Sequence, residues 1–215
     1  MQGVFITFEG IEGSGKSTQI AQLHTHLTDI GKQVTLTREP GGTPIGNQIR
    51  RVLLDPSNRD LDPTAELLLY AASRAQHLRE VIRPALEAGR IVLCDRFMDA
   101  TLAYQGYGRG LSIPMILDLD RIVTAGLRPH LTLLLDIDPR IGVGRARGRN
   151  ASQGLQNEAR FEDEDILFHT RVRDGYLLLA TQEPGRIRMV NAAQTVDSVQ
   201  KDIRGIVDDV LKISA

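Results

Sequence analysis

The sequence predicts an α/β fold, a five-stranded parallel sheet with helices on both faces, and three observations predict it. Five short runs rich in Val, Ile, Leu or Thr are spread over the 215 residues. Several of them are apolar on consecutive residues, as strands buried on both faces tend to be. Long amphipathic stretches separate them, and strands alternating with helices imply right-handed crossovers, with ligands gathered at the carboxyl ends of the strands.

The first strand is "VFITF" at 4 to 8, followed by "GIEGSGKS" and a helix in which Ile20, Leu23, Leu27 and Ile30 keep helical spacing and Gly31 supplies the stop. The second, "QVTLT" at 33 to 37, runs into "TREPGGTPIG", where the Pro and Gly residues force an abrupt turn after Arg38. Next comes an apparent helix, "AELLLYAASRAQHLREVIRPAL", with Pro84 bending or breaking it late. The third strand, "RIVLCD" at 90 to 95, ends in "CDRF" and leads to "DATLAYQGYGRG", a polar, Gly-rich strand-to-helix segment. "LTLLLDI" at 131 to 137 and "RIRMVN" at 186 to 191 complete the sheet, and Val196, Val199, Ile203, Ile206 and Val210 mark a last helix. Residues 142 to 160 are weak in apolar periodicity. They carry Arg145, Arg147, Arg149 and Arg160 and no acid before Glu158. An ordinary solvated loop is one reading; a mobile cover over phosphate suits four guanidinium groups better.

Composition bounds the function. Length favours a single domain spanning residues 1 to 215, and 41% hydrophobic with 25% charged residues matches an ordinary globular protein. The 26 basic and 27 acidic side chains nearly cancel, so there is no global basic field for a nucleic-acid polymer, and any polyanion is bound locally. The single cysteine, Cys94, lies in an apolar run and reads as core. "VFITF" is too short for a signal segment and no run reaches transmembrane length, so the expected location is the cytoplasm.

"GIEGSGKS" fits G-x-x-x-x-G-K-[ST], with Gly10, Gly15, Lys16 and Ser17 in the fixed places between a strand and a helix. This is a phosphate-binding loop: backbone N–H groups turn inward, the following helix directs its positive end at the same spot, Lys16 reaches the β- and γ-phosphates, and the Ser17 hydroxyl coordinates Mg²⁺. The triphosphate site of ATP or GTP thus takes in Gly10, Glu12, Gly13, Ser14, Gly15, Lys16, Ser17 and Thr18. Glu12 is anomalous there. Two like charges about 4 Å apart at an effective dielectric of 20 repel by roughly 4 kcal/mol, so its carboxylate should point away from the phosphates, toward a hydroxyl of whatever receives the phosphoryl group.

Arg38 and Arg96 stand at the carboxyl ends of the second and third strands. Two guanidinium forks converging on the loop side make an anion site. Asp95 either supports Mg²⁺ through a water or holds Arg96 in place. Tyr70 and Arg74, four residues apart, share a helical face; as a core ring and a solvated charge they mean little, but together they are able to stack on and hydrogen-bond to a base. Gln105, beside Tyr104, offers a donor and an acceptor for a base edge.

The motifs "FEGIEGSGKSTQ", "TREPGGTPIG", "LLYAASRAQH", "CDRFMDATLAYQGYGRG", "RPHLTLLLDIDP" and "RFEDED", in this order over nearly the whole chain, resemble bacterial thymidylate kinases, a family of P-loop nucleoside monophosphate kinases. The resemblance implies transfer of the γ-phosphoryl group of ATP to dTMP, with Mg²⁺ and as a homodimer. It also implies that Glu12 meets the acceptor's 3′-hydroxyl, that Arg38 and Arg96 hold the dTMP phosphate, that Arg74 and Gln105 read the thymine edge, and that Tyr104 crowds the 2′ position. Tyr70 stands where the family commonly stacks Phe on thymine. Another branch carries an arginine at the position of Gly13, so positive charge here falls to the cover segment, with Arg149 and Arg160 favoured. Two other readings stay open: a kinase of another nucleotide or nucleoside, or a nucleotide switch that uses the loop without an acceptor.

Overall fold

The computed structural model describes residues 3–153 and 160–213 and, of residues 149–153, the backbone alone. Five strands, β1 (Val4–Glu9), β2 (Val34–Arg38), β3 (Ile91–Asp95), β4 (Leu131–Asp136) and β5 (Ile187–Asn191), form one sheet in the order β2-β3-β1-β4-β5. Every described pairing is parallel. Phe5, Ile6, Phe8, Leu93, Leu133 and Leu135 are wholly buried, which is the consecutive apolar pattern of a sheet covered on both faces. β1 is central, flanked by β3 and β4, and the chain passes from one side of it to the other between those two strands, so the crevice at its carboxyl end is where a ligand fits.

The helices are placed by their caps as much as by their apolar stripes. Helix α1 (Lys16–Asp29) buries Ile20, Leu23 and Leu27 and packs beside the last helix, α9 (Val196–Leu211), which contributes Val199, Ile203 and Val207. Between them in sequence lie α2 (Pro44–Leu54), α3 (Pro63–His77), α4 (Arg83–Glu87), α5 (Met98–Thr101), α6 (Ile113–Thr124), α7 (Pro139–Gln153) and α8 (Ile166–Gln182). Thr43, Asp62, Asp165 and Thr195 each accept a backbone N–H at the start of α2, α3, α8 and α9, a contact whose loss typically costs about 1 kcal/mol. The acidic run before α8 therefore ends in a cap.

Pro84 does not break its helix. A π-helical turn at Leu78–Ile82 joins α3 to α4, closed by Arg83 N–H bonding to Leu78 O, and Pro84 falls in the first turn of α4, where its missing N–H is harmless. A second π-helical turn, Leu102–Gly108, follows α5 directly and carries Tyr104 and Gln105. Residues 142–153, weakly periodic in sequence, continue the helix that starts at Pro139; the remainder of the expected cover up to 159 lies outside the described residues.

Candidate active site

The loop from Gly10 to Lys16 closes on itself. The Lys16 ammonium is buried and donates to Gly10 O at 2.9 Å, Ile11 O at 2.8 Å and Ser14 Oγ at 3.2 Å. Burial, with the like charge of Arg96, lowers its pKa to about 8, against the pull of Asp95, Glu12 and Glu9. α1 begins at Lys16, so its first N–H groups, which no helical carbonyl can satisfy, face the loop. The Ser17 hydroxyl donates to Asp95 Oδ2 at 3.2 Å, bringing both candidate metal ligands to one edge. They supply hard oxygen donors of the kind Mg²⁺ takes alongside phosphate oxygens. The loop also rests on α7. A Cβ on Gly13, whose φ is +67°, would stand 1.9 Å from Gly142 O. An arginine at this position is excluded while α7 stays where it is.

At the end of β3, Arg96 adopts a left-handed backbone, φ 69°, which costs a non-glycine residue on the order of 1 kcal/mol. Its surroundings hold it there. Its N–H bonds to Phe8 O at 3.0 Å, its guanidinium donates to Glu12 Oε1 at 3.0 Å and to Tyr176 Oη at 3.3 Å, and it lies 4.7 Å from the centroid of the Tyr104 ring. Tyr104 donates to the same Glu12 oxygen at 2.7 Å. Burial disfavours the Glu12 carboxylate, but Arg96, His169 and Lys16 outweigh it and hold its pKa well below the usual carboxylate range. Its other oxygen lies 3.3 Å from Nδ1 of a wholly buried imidazole, His169, and among the described residues neither that oxygen nor the ring nitrogens have a hydrogen-bond partner. Arg38 is paired in register with Asp95 and lines the same cleft.

A third cluster forms the wall beyond these arginines. Arg74 is buried; its Nε donates to Glu39 Oε2 at 2.8 Å and its Nη2 to Thr101 Oγ1 at 2.9 Å, with the Phe97 ring centroid 5.0 Å away. Glu39 also meets His77 Nδ1 at 2.9 Å, and His77 Nε2 lies 2.6 Å from Thr37 Oγ1. The base reader foreseen from sequence is thus tied to the edge of the sheet. Gln105 donates to Glu66 Oε1 at 2.9 Å. Tyr70, half-buried, lines the cleft between these groups, and burial raises its phenol pKa above the usual value.

All three clusters open into one cleft of about 610 Å³, lined from Gly13, Lys16 and Thr18 at one end to Tyr70 and Gln105 at the other. The candidate arginines of the cover are arranged differently. Arg145 donates to Ala192 O and Arg147 to Glu162 O, and Arg160 is buried with its guanidinium on Leu53 O and Glu66. None of the three lines the cleft. The Arg149 side chain lies outside the described residues.

Sequence reading missed Glu9, Glu39, Glu66, His169 and Tyr176. Glu9 is fully buried, accepts from Phe97 N and Tyr176 Oη, both at 2.7 Å, and has its pKa raised to about 8, chiefly by burial. One signal was available: Glu66, Tyr70 and Arg74 recur every four residues on α3, so the acid shares the face of the two residues that sequence had singled out.

A phosphate-binding loop facing two arginines across one cleft, on a parallel sheet, defines a P-loop phosphotransferase with an acceptor pocket. The comparisons with known proteins specify it. The thymidylate kinase family model matches residues 8–203. The thymidylate kinase of Syntrophotalea carbinolica is 60% identical over 91% of this chain and 90% of its own, and that of Geotalea uraniireducens is 54% identical over 95% and 96%. The crystal structure of thymidylate kinase from Ehrlichia chaffeensis superposes with a TM-score of 0.79 at 33% identity, covering 96% of this chain and 100% of that one. The chain belongs to the thymidylate kinase family.

Proposed function

We infer that the chain transfers the γ-phosphoryl group of ATP to dTMP, giving ADP and dTDP. The observation that carries this reading is the continuity of the cleft: the loop that grips a triphosphate and the wall suited to a pyrimidine nucleotide share one cavity, with Arg38 and Arg96 between them. Phosphoryl transfer asks little covalent chemistry of a protein, so positioning and charge stabilisation do most of the work.

The loop N–H groups from Gly13 to Thr18 take the β- and γ-phosphates, and Lys16 exchanges its carbonyl partners for phosphate oxygens. Ser17 and Asp95 hold Mg²⁺, which when bound neutralises charge on the phosphates. Arg38 and Arg96 hold the dTMP phosphate with an oxygen in line for attack. Tyr70 stacks on thymine, Arg74 and Gln105 meet its polar edge, Tyr104 fills the space of a 2′-hydroxyl, and Glu12 accepts from the 3′-hydroxyl. The cover supplies further positive charge through Arg149, with Arg160 anchoring its base. Closure excludes water, which would otherwise compete as acceptor.

Assembly as a homodimer is supported by exposed apolar side chains on α3 and α6, Leu68, Met115 and Ile122. A cytoplasmic location, expected from the sequence's lack of a signal-like or transmembrane-length run, is part of the same proposal; no described helix is long and apolar enough to cross a membrane.

A mixed-acceptor assay with dTMP, dUMP, dGMP and thymidine tests the reading. The expected result is dTDP formed fastest in step with ADP. Preferential use of thymidine or dGMP, or ADP release with no phosphorylated product, overturns it.

A further inference from the structure

Glu66 has no exposed surface, and nothing in the phosphoryl transfer just described employs it. Its carboxylate gathers three side chains from distant parts of the chain. Oε1 accepts from Gln105 Nε2 at 2.9 Å and from Arg109 Nε at 3.3 Å, while Oε2 accepts from Arg109 Nη2 at 3.4 Å and from Arg160 Nη2. With a guanidinium N–H on each oxygen, Glu66 acts as an acceptor only.

This has a consequence for an amide. Turned by 180° about its last bond, the Gln105 side chain would present its carbonyl to an oxygen that has nothing to donate. One orientation is therefore fixed: the NH₂ group toward Glu66, which leaves Oε1 as the free acceptor of a residue that lines the cleft. No described residue donates to that oxygen. The pocket thus shows a pyrimidine an acceptor at this point. Thymine and uracil meet it with N3–H. Cytosine meets it with an unprotonated N3 and leaves two lone pairs facing each other, the kind of mismatch that rejects an analogue far more strongly than a missing methylene does.

We propose that Glu66 is a specificity-determining positioning residue: by holding the Gln105 amide in one orientation, it makes the acceptor pocket select a pyrimidine that carries a proton on N3. The proposal rests on the thymidylate reading and names the group that enforces its base choice. The same carboxylate holds Arg160, so the base pocket and the foot of the cover segment share one anchor.

The test is the ratio of kcat/KM for dTMP to that for dCMP, measured with saturating ATP and Mg²⁺. In Glu66→Gln the amide at that position both donates and accepts, Gln105 is free to turn, and the ratio should fall by about ten- to a hundredfold, the effect of one buried hydrogen-bonding group no longer held to its partner. In a Gln105→Leu background the same substitution should leave the ratio unmoved, because Glu66 acts through Gln105. A merely structural role lowers both acceptors together, so a ratio unchanged by Glu66→Gln overturns the proposal, as does a fall of equal size in the Gln105→Leu background. Should Glu66→Gln not fold, Glu66→Asp, whose carboxylate is withdrawn by one methylene, carries the same readout. A wild-type protein that uses dCMP as readily as dTMP overturns the thymidylate reading itself, whereas an unchanged ratio in a dTMP-selective variant removes Glu66 alone.

Discussion

Lys16 finds its partners within six residues of itself, on the carbonyls and hydroxyl of its own loop. Arg96 reaches across 84 residues to Glu12 and 80 to Tyr176, and Arg160 across 94 to Glu66. The donor end of the cleft is therefore one contiguous stretch of chain whose geometry follows from glycines and a helix start, while the acceptor end is assembled from buried charges that meet only when the sheet has formed. Triphosphate binding is robust because it is local. Acceptor choice is a tertiary property, and each of its parts is held by a partner that sequence does not place beside it.

Lys16→Met tests the donor end alone and has the largest effect. Removing one preorganised charge from a transferring phosphoryl group should lower kcat by about 10² to 10³, and by the same factor for every acceptor, with the KM for dTMP little changed. Steady-state assays coupled to ADP release read both quantities. A loss that depended on the acceptor would mean that the two ends are not separable as the geometry describes.

Glu12 sits at the junction, inside the donor loop by sequence and inside the acceptor pocket by contact. Glu12→Ala should reduce kcat/KM for dTMP by about ten- to a hundredfold, the range for an unpaired polar group at a recognition site, while the KM for ATP persists. It also takes from Arg96 its carboxylate partner, leaving the guanidinium with Tyr176 and the Tyr104 ring, so the melting temperature should drop as well. Equal kinetics with dTMP and its 3′-deoxy analogue in the unmodified protein would remove the hydroxyl contact from the account and leave Glu12 as the partner of Arg96.

The same contrast explains what the sequence disclosed. The five strands, the loop and the first and last helices follow from periodicity and glycine placement, which are local, and each lies within a residue or two of its expected bounds. Pro84 was legible as a perturbation, but the π-helical turn that absorbs it was not, since that depends on how α3 and α4 pack. Arg38, Arg96 and Gln105 were legible as candidates because they stand at strand ends or in a polar segment, and Arg74 because it shares a helical face with Tyr70. Their partners Glu39 and Glu66 were not, because an acid in an amphipathic helix or a turn ordinarily reads as solvated, and only burial shows otherwise. The fold brings Glu12 and Arg96 into contact, which charge signs alone could not have placed.

The smallest expected effect comes from Glu9, which sits where the two ends meet, at the last position of β1 before the loop. Its pKa is raised from an ordinary 4.5 to about 8, first by burial and then by Asp99, with Arg96, Tyr176 and Phe97 N–H opposing. Between these values the folded protein binds more protons than the unfolded chain, so the Glu9 contribution to stability is complete below about pH 4.5 and is lost as pH rises through 8. Lys16 acts with the opposite sign in a higher window: its pKa falls from 10.5 to about 8, so stability rises with pH between those values. Glu9→Gln imitates the protonated acid: its carbonyl still accepts from Phe97 N–H, and its NH₂ donates to Tyr176 Oη, which donates to Glu9 in the wild type. Thermal melts of both proteins at steps from pH 5 to 8 should show the wild type losing stability relative to Glu9→Gln as pH rises, other titrations cancelling in the difference. Parallel curves would mean that Glu9 is ionised throughout, and that the Arg96 guanidinium, drawn to it as well as to Glu12, belongs to the donor end as much as to the acceptor end.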